Sequence, residues 1–408
     1  MQRNKKIVLI TYGNFPYGGA SANLSRLFAL ALANQKFDIN VIMPTGNYYG
    51  NNVEDKNIRQ GKIESVFFKH LGFINHPKNY FGKLADNFFG MILPIFYLIG
   101  KAAKNELDVI IFYDTTFLKS LFIKIIKSVL KKKLVIILPE FYEKPSSKFI
   151  SLTLIKWYSF YFGIKYISKY ADGIVVLSTY LRDYIKYEVK YKKNILLMPN
   201  LTDPEKFELK DTKPHFNGRI TIGYVGTPTR KDGVLDLIKS FSILNKKYPY
   251  THLLIIGDLT NGETLIPSLE KLAKELLIDE NVTFTGLISN NKIPELLNSC
   301  QILALTRPYG IASEAGFPTK LGEYFACKKP VVITKVGDMA KYFINEEHAI
   351  LVEPENIESI VGGFESLITD YKLCEKLSLN AYNWMDENLN YVNQSKRISE
   401  FIDKSVFH

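Results

Sequence analysis

The chain has 408 residues, 47% of them hydrophobic and 23% charged, with a formal net charge of +11. That length exceeds one ordinary core and suits two domains of about 200 residues each, and the composition excludes disordered, collagen-like and disulfide-stapled chains. The charge is uneven: residues 1–200 hold 29 Lys and Arg against 13 Asp and Glu, whereas residues 201–408 hold 23 against 28, so a basic half suited to a polyanion precedes a mildly acidic one.

The first apolar run, Ile7 to Ile10, is too short for a signal-peptide core and reads as the first buried strand, over 6–11. The loop Pro16-Tyr17-Gly18-Gly19-Ala20-Ser21 follows it and precedes a helical pattern over 20–33. Paired glycines at such a loop let backbone approach a ligand closely. The loop is not a G-x-G-x-x-G fingerprint, so it does not read as a nicotinamide site. Further buried strands are expected over 39–43, 109–112, 134–138, 173–177 and 195–198, with a helix over 117–130. The longest apolar run, Phe88 to Gly100, is short and contains Pro94, so no membrane-spanning helix of about 18–20 apolar residues is expected. A cytoplasmic protein is the corresponding expectation.

After the strand over 134–138 comes Pro139-Glu140-Phe141-Tyr142-Glu143. Glu140 stands at the carboxyl end of a buried strand, where open α/β sheets bind ligands; Glu143 is its rival. Residues 148–170 mix aromatics with lysines at helical spacing. That pattern fits a core-packing helix whose basic rim could rest on an anionic membrane surface. The Lys131–Lys133 triplet reads as a solvated loop.

A polar stretch with Pro199, Asn200, Asp203, Pro204, Pro214, Asn217 and Gly218 then breaks the rhythm and marks a domain boundary near 200–218. Strands resume over 220–225, 253–256, 282–285, 302–305, 331–334 and 349–352. Two α/β domains of parallel sheets follow from this alternation: residues 1–200, joined by a C-terminal helix from about 386, and residues 201–385. The three cysteines, Cys300, Cys327 and Cys374, lack CxxC spacing and read as buried free thiols. The six histidines form no HxH or HxxxH cluster and no Asp-x-Asp ends a strand, so metal-independent chemistry is expected.

Two segments of the second half carry chemistry. In Ile222 to Ile238, a strand runs into the loop Gly226-Thr227-Pro228-Thr229 and the adjacent cations Arg230 and Lys231. Two cations at a helix start sit against the positive end of its dipole, which favours an anionic partner. In Arg307 to Thr334, a Gly- and Pro-bearing loop leads into a helix beginning near Pro318. The amides of Thr319, Lys320 and Leu321 and the Lys320 ammonium would form an anion site there. Glu323, one turn on, could accept hydrogen bonds from both hydroxyls of a ribose. A capped helix packing Tyr324 and Phe325 into the core is the plainer alternative.

The stretch GFPTKLGEYFACKKPVV, with Arg307-Pro308 before it and Val336-Gly337-Asp338 after it, resembles the nucleotide-sugar site of retaining GT-B glycosyltransferases. The likeness is to family 4, which includes sucrose synthases and bacterial polysaccharide-assembly enzymes. It implies a GT-B fold, two Rossmann-like doubly wound domains. It also implies hexosyl-type transfer from a nucleotide-diphosphate sugar to a glycan or lipid-linked acceptor, without a cofactor and without nucleic acid as partner. By the resemblance, Glu323 holds the donor ribose, backbone near Thr319–Leu321 the diphosphate, Arg230 or Lys231 the leaving phosphates, and Gly18 and Gly19 cover the diphosphate. Glu140 takes the place where relatives carry a histidine or aspartate against the transferred sugar. The family pattern has two glutamates with seven residues between them, but Ala315 occupies the first position here. Glu314, one residue earlier, either serves as the sugar-binding carboxylate through a shifted loop or is a solvated loop acid. A nucleotide-sugar epimerase of the same architecture and a non-catalytic partner subunit are the two rival readings.

Overall fold

The computed structural model describes residues 4–46, 58–145, 152–208, 218–259 and 263–406. Two compact units divide at Leu201/Thr202, and the chain from Tyr391 onward belongs to the first.

The first unit has strands β1 (Lys6–Thr11), β2 (Asp38–Met43), β3 (Gln60–Ile63), β4 (Val66–His70), β5 (Val109–Tyr113), β6 (Lys133–Leu138), β7 (Gly173–Val176) and β8 (Asn194–Leu197). They form one sheet in the order β3-β4-β2-β1-β5-β6-β7-β8, parallel except for β3 against β4. The central strands are near-continuous Val, Ile and Leu because helices cover both faces and each strand is buried on both sides. The hairpin β3–β4 was not expected from the sequence. Its strands alternate exposed and buried residues at the sheet edge, and Gln60-Gly61-Lys62 carries little apolar signal. Four helices matter below: α1 (Ala20–Asn34), α2 (Tyr80–Ala103), α3 (Phe117–Leu130) and α4 (Leu152–Tyr170).

The helix α2 corrects the reading of residues 88–100. It runs for 24 residues straight through Pro94, and among the described residues it is the one helix long and apolar enough, by length and composition, to cross a membrane. Asn79 starts it by accepting the Gly82 amide proton at 2.6 Å, as an N-cap should. The closing helix Tyr391–Val406 packs on α1, with Gln35 Nε2 donating to Ser395 Oγ at 2.9 Å and Arg397 donating to the Leu197 carbonyl at 2.7 Å.

The second unit has β9 (Ile220–Val225), β10 (Thr251–Ile256), β11 (Val282–Phe284), β12 (Ile302–Leu305), β13 (Val331–Thr334) and β14 (Ile350–Val352). All are parallel, in the order β11-β10-β9-β12-β13-β14. Phe343 and Trp384 meet edge to face at 4.6 Å, anchoring the helix Tyr371–Asn388 to this unit. Cys300 and Cys327 are buried free thiols and Cys374 is a half-buried one. Pro214 and Asn217 lie outside the described residues, as do residues 148–151.

Each sheet therefore reverses direction beside its first strand: between β1 and β5 in the first unit, and between β9 and β12 in the second. The carboxyl ends of those strand pairs are where an open α/β sheet leaves a crevice.

Candidate functional site

In the second unit that crevice holds a buried charge cluster. Gly226 follows β9 with φ +137, and a Cβ there would strike the Lys320 ammonium group. Glycine at this position is what admits the lysine. The Lys320 ammonium is bonded to the Asp232 carboxylate, lies 3.3 Å from the Tyr224 hydroxyl and sits 4.6 Å from the centre of that ring. Tyr224 donates to Asp232 at 2.7 Å, and Arg307, just past β12, brings its Nε to 3.6 Å from the same carboxylate. Gly233, at φ +70, presses against the Thr306 carbonyl, and Thr306 Oγ1 donates to the Gly233 carbonyl at 2.9 Å. That clasp fixes Asp232 next to the end of β12.

Burial sets the electrostatics. It works to raise the Asp232 carboxyl, but the Lys320 and Arg307 charges outweigh it and hold the group below the usual range. Burial depresses the Lys320 ammonium, with Asp232 opposing. Tyr224 is pushed up by burial and by Asp232, so it stays a neutral donor. Two cations and one carboxylate in a low-dielectric crevice leave an excess of positive charge there, which an anion can complete.

The helix Thr319–Ala326 starts from Pro318, which is its cap rather than its first helical residue. The Leu321 amide donates to the Pro318 carbonyl at 3.2 Å. Leu321 is therefore withdrawn from the set of amides expected to meet an anion, because the first turn is already closed by it. Thr319 and Lys320 hold the terminus. Glu323, half-buried one turn on, has its carboxyl pushed up by burial, with Lys206 and Lys320 opposing.

Arg230 and Lys231 do not start a helix. They lie exposed on a single tight turn, Arg230–Asp232, and the helix Val234–Lys247 begins only after Gly233. Neither cation therefore sits against the positive end of a helix dipole. The cations drawn into the crevice are Lys320 and Arg307. The Thr227 carbonyl lies 2.9 Å from the Tyr224 hydroxyl. Glu314 lies on the short helix Ile311–Ala315, and its Oε1 accepts the Gly337 amide proton at 3.1 Å. Gly337 has φ +58 with the Ser313 carbonyl 2.5 Å from where a Cβ would be. The Gly337 amide thus gives the Glu314 carboxylate a fixed partner. Among the described residues no three His, Cys, Asp or Glu side chains gather as metal ligands.

The first unit's crevice gathers residues from three strand ends. Asp114, next after β5, accepts the Thr116 amide proton at 2.6 Å and pairs with Lys119 at 2.8 Å. Lys119 also lies 3.5 Å over the ring of Tyr12, the residue after β1. Glu140, two residues past β6, accepts from the Tyr142 hydroxyl at 2.7 Å, while Glu143 is exposed. Burial, then the charges of Glu140 and Asp114, raise the Tyr113 hydroxyl. Gly18 packs tightly, 2.7 Å from Asn14 Cβ were it to carry a Cβ, whereas Gly19 faces open space at the start of α1.

Sequence reading missed Asp232 and Tyr224, and it noted Arg307 only as a flank of the motif. Tyr12, Tyr113, Asp114 and Lys119 were also missed. The available signal was position: Tyr12 and Asp114 each stand one residue past a strand of the reversal point.

Comparison with known proteins bears on the fold that carries this site. Residues 205–384 match the family model of glycosyl transferases group 1. An uncharacterized glycosyltransferase of Methanocaldococcus jannaschii, MJ1069, is 26% identical over 246 residues, 59% of this chain and 61% of that protein. The chain spans about three fifths of the length of the curated relatives it matches first. The solved sucrose-phosphate synthase of Thermosynechococcus elongatus superposes with a TM-score of 0.75 at 16% identity, covering 97% of this chain and 98% of that one. Anabaena HepE, solved in complex with UDP and glucose, does so with a TM-score of 0.68 at 15% identity, covering 97% and 99%. At such identities the likeness concerns the fold. The chain accordingly has the two-domain GT-B fold, and its second unit carries the match to glycosyl transferases group 1.

Proposed function

We propose that the chain is a glycosyltransferase that moves a sugar from a nucleotide-diphosphate donor to a hydroxyl of a glycan or lipid-linked acceptor. The carrying observation is the crevice at the ends of β9 and β12, where Lys320 and Arg307 share the single carboxylate of Asp232. A diphosphate entering there would be bonded by Lys320, Arg307 and the amides at the start of the helix Thr319–Ala326. Glu323 would accept from the ribose hydroxyls. Glu314, held by Gly337, would face the transferred sugar.

The leaving group is a nucleoside diphosphate whose negative charge grows as the glycosidic bond breaks. Preorganised cations lower that barrier without protein ligands for a divalent ion. Retention follows if the acceptor hydroxyl attacks from the face the diphosphate leaves and passes its proton to the departing phosphate oxygen. The protein's part is then positioning and charge stabilisation. The first unit would present the acceptor, with Glu140 and Asp114 at its strand ends. Its basic character suits a phosphate-bearing acceptor in surface polysaccharide assembly, handled at the inner face of a membrane.

The test is to incubate the full chain with a panel of nucleotide sugars and a lipid extract as acceptor, following nucleoside diphosphate and labelled product. Diphosphate release matched by glycosylated product supports transfer. Release of a free epimer sugar would mean an epimerase, and neither product would leave a non-catalytic partner subunit.

A further inference from the structure

The helix α2 sorts its side chains onto two opposite faces. Asp86, Gly90, Pro94 and Leu98, four residues apart, are buried. That stripe is bound firmly to its own unit: Asp86 accepts the Gly46 amide proton at 3.0 and 3.1 Å and lies 3.2 Å from His76, and Tyr12 donates to the Gly90 carbonyl at 3.0 Å. The other face is apolar and uncovered. Phe81 is 81% exposed, Phe88 54% and Phe96 67%, with Leu84 and Ile99 between and beyond them. The neighbouring helices continue the pattern: α3 packs on α2 and α4 on α3, and they expose Leu118, Ile125 and Val129, then Ile155 and Phe162. A soluble domain rarely leaves so many large apolar side chains exposed on neighbouring helices.

Charge decides what covers this face. Residues 78–170 contain 15 lysines against six acidic residues. Beside α2, a groove of about 480 Å³ is lined by Phe73, Phe89 and Leu93 together with Arg59. Exposed phenylalanines on so lysine-rich a stretch of chain fit acyl chains and anionic headgroups together; a second copy of so basic a surface would be repelled.

We propose that α2, with the exposed edges of α3 and α4, lies in the plane of an anionic lipid bilayer and anchors the first unit there. Crossing the bilayer is a poorer solution. It would strip the Asp86 and Gly90 hydrogen bonds from the unit and carry Asp86 into hydrocarbon. Lying flat, the helix of about 36 Å sinks Phe81, Phe88 and Phe96 below the headgroups while its buried stripe stays on the loops that follow β1 and β2. The proposal places the contact mainly on α2, not on the aromatic-lysine helix α4 that the sequence alone singles out.

The test is flotation of the full chain with vesicles of phosphatidylcholine alone and of phosphatidylcholine mixed with phosphatidylglycerol. Binding should require phosphatidylglycerol, weaken in high salt, and fall at least about tenfold in the triple variant Phe81→Ser, Phe88→Ser, Phe96→Ser, whose melting temperature should not drop. A second variant, Phe88→Trp, should show emission quenched by brominated phosphatidylglycerol beyond that of the parent chain. No binding by the full chain, equal binding by the triple variant, or no added quenching at position 88 would overturn the proposal. So would a stable dimer that the triple variant dissociates.

Discussion

Lys320 and Asp232, 88 residues apart in sequence, form a direct ion pair at the mouth of the second sheet, with Arg307 held against the same carboxylate. Removing the acid while leaving the two cations should expose their mutual repulsion. Asp232→Asn is expected to lose about 3–5 kcal/mol of stability. It should also gain more stabilisation from a nucleoside diphosphate than the parent does, because the ligand then supplies the missing charge. Thermal melting with and without the ligand checks both parts.

Glu323 gives a pH signature. Burial raises its carboxyl, and only the ionised form offers both oxygens as full acceptors to two ribose hydroxyls. Donor affinity should therefore fall as the pH drops through the mildly acidic range, sooner than an ordinary carboxylate would dictate. Glu323→Gln should bind about tenfold to a hundredfold more weakly and lose that pH dependence. For the unliganded chain the sign is opposite: a raised carboxyl favours folding at acid pH and loses that contribution as the pH rises through the folded-state value. Titration calorimetry across pH separates the two effects.

Glu314 can be tested through the residue that holds it. Gly337→Ala meets both a φ of +58 and the Ser313 carbonyl, and should cost about 1–2 kcal/mol. If Glu314 faces the transferred sugar, this variant keeps its affinity for the nucleoside diphosphate and loses affinity for the nucleotide sugar. Competition between the two ligands reads the difference.

The first unit should weaken in acid. Burial, with the Arg59 charge, lowers the His70 imidazole from 6.5 to about 4, against a hydrogen bond with the Phe15 backbone. The unfolded chain thus takes up the proton first. His70's contribution is full above pH 6.5 and is lost progressively as the pH falls towards about 4. His70→Gln should flatten that part of a melting-temperature profile.

The parallel strands were legible because each is a short run of β-branched residues buried on both faces, and Lys6–Thr11, Ile220–Val225, Ile302–Leu305 and Val331–Thr334 begin and end where those runs do. The hairpin β3–β4 was not, since an edge strand such as Gln60–Ile63 needs no apolar run. Pro94 hid α2, because proline normally stops a helix; here its ring sits on the buried stripe and the helix continues. The lysine of the crevice was legible from the motif around it. Its partner Asp232 was not, because an ion pair between a helix start and a turn 88 residues away leaves no local pattern. Arg230 and Lys231 drew attention as adjacent cations, yet exposure and charge density are poor guides to which cation a fold turns inward.

The central claim is the donor site, and its most direct measurement is thermal melting with UDP, GDP, ADP and TDP, with and without EDTA, for the parent, Lys320→Ala and Glu323→Ala. One nucleotide at about a hundred times its dissociation constant should stabilise the parent by about 2.7 kcal/mol regardless of EDTA, and neither variant should respond comparably. Equal stabilisation of parent and both variants, or none in the parent by any of the four, would contradict the account.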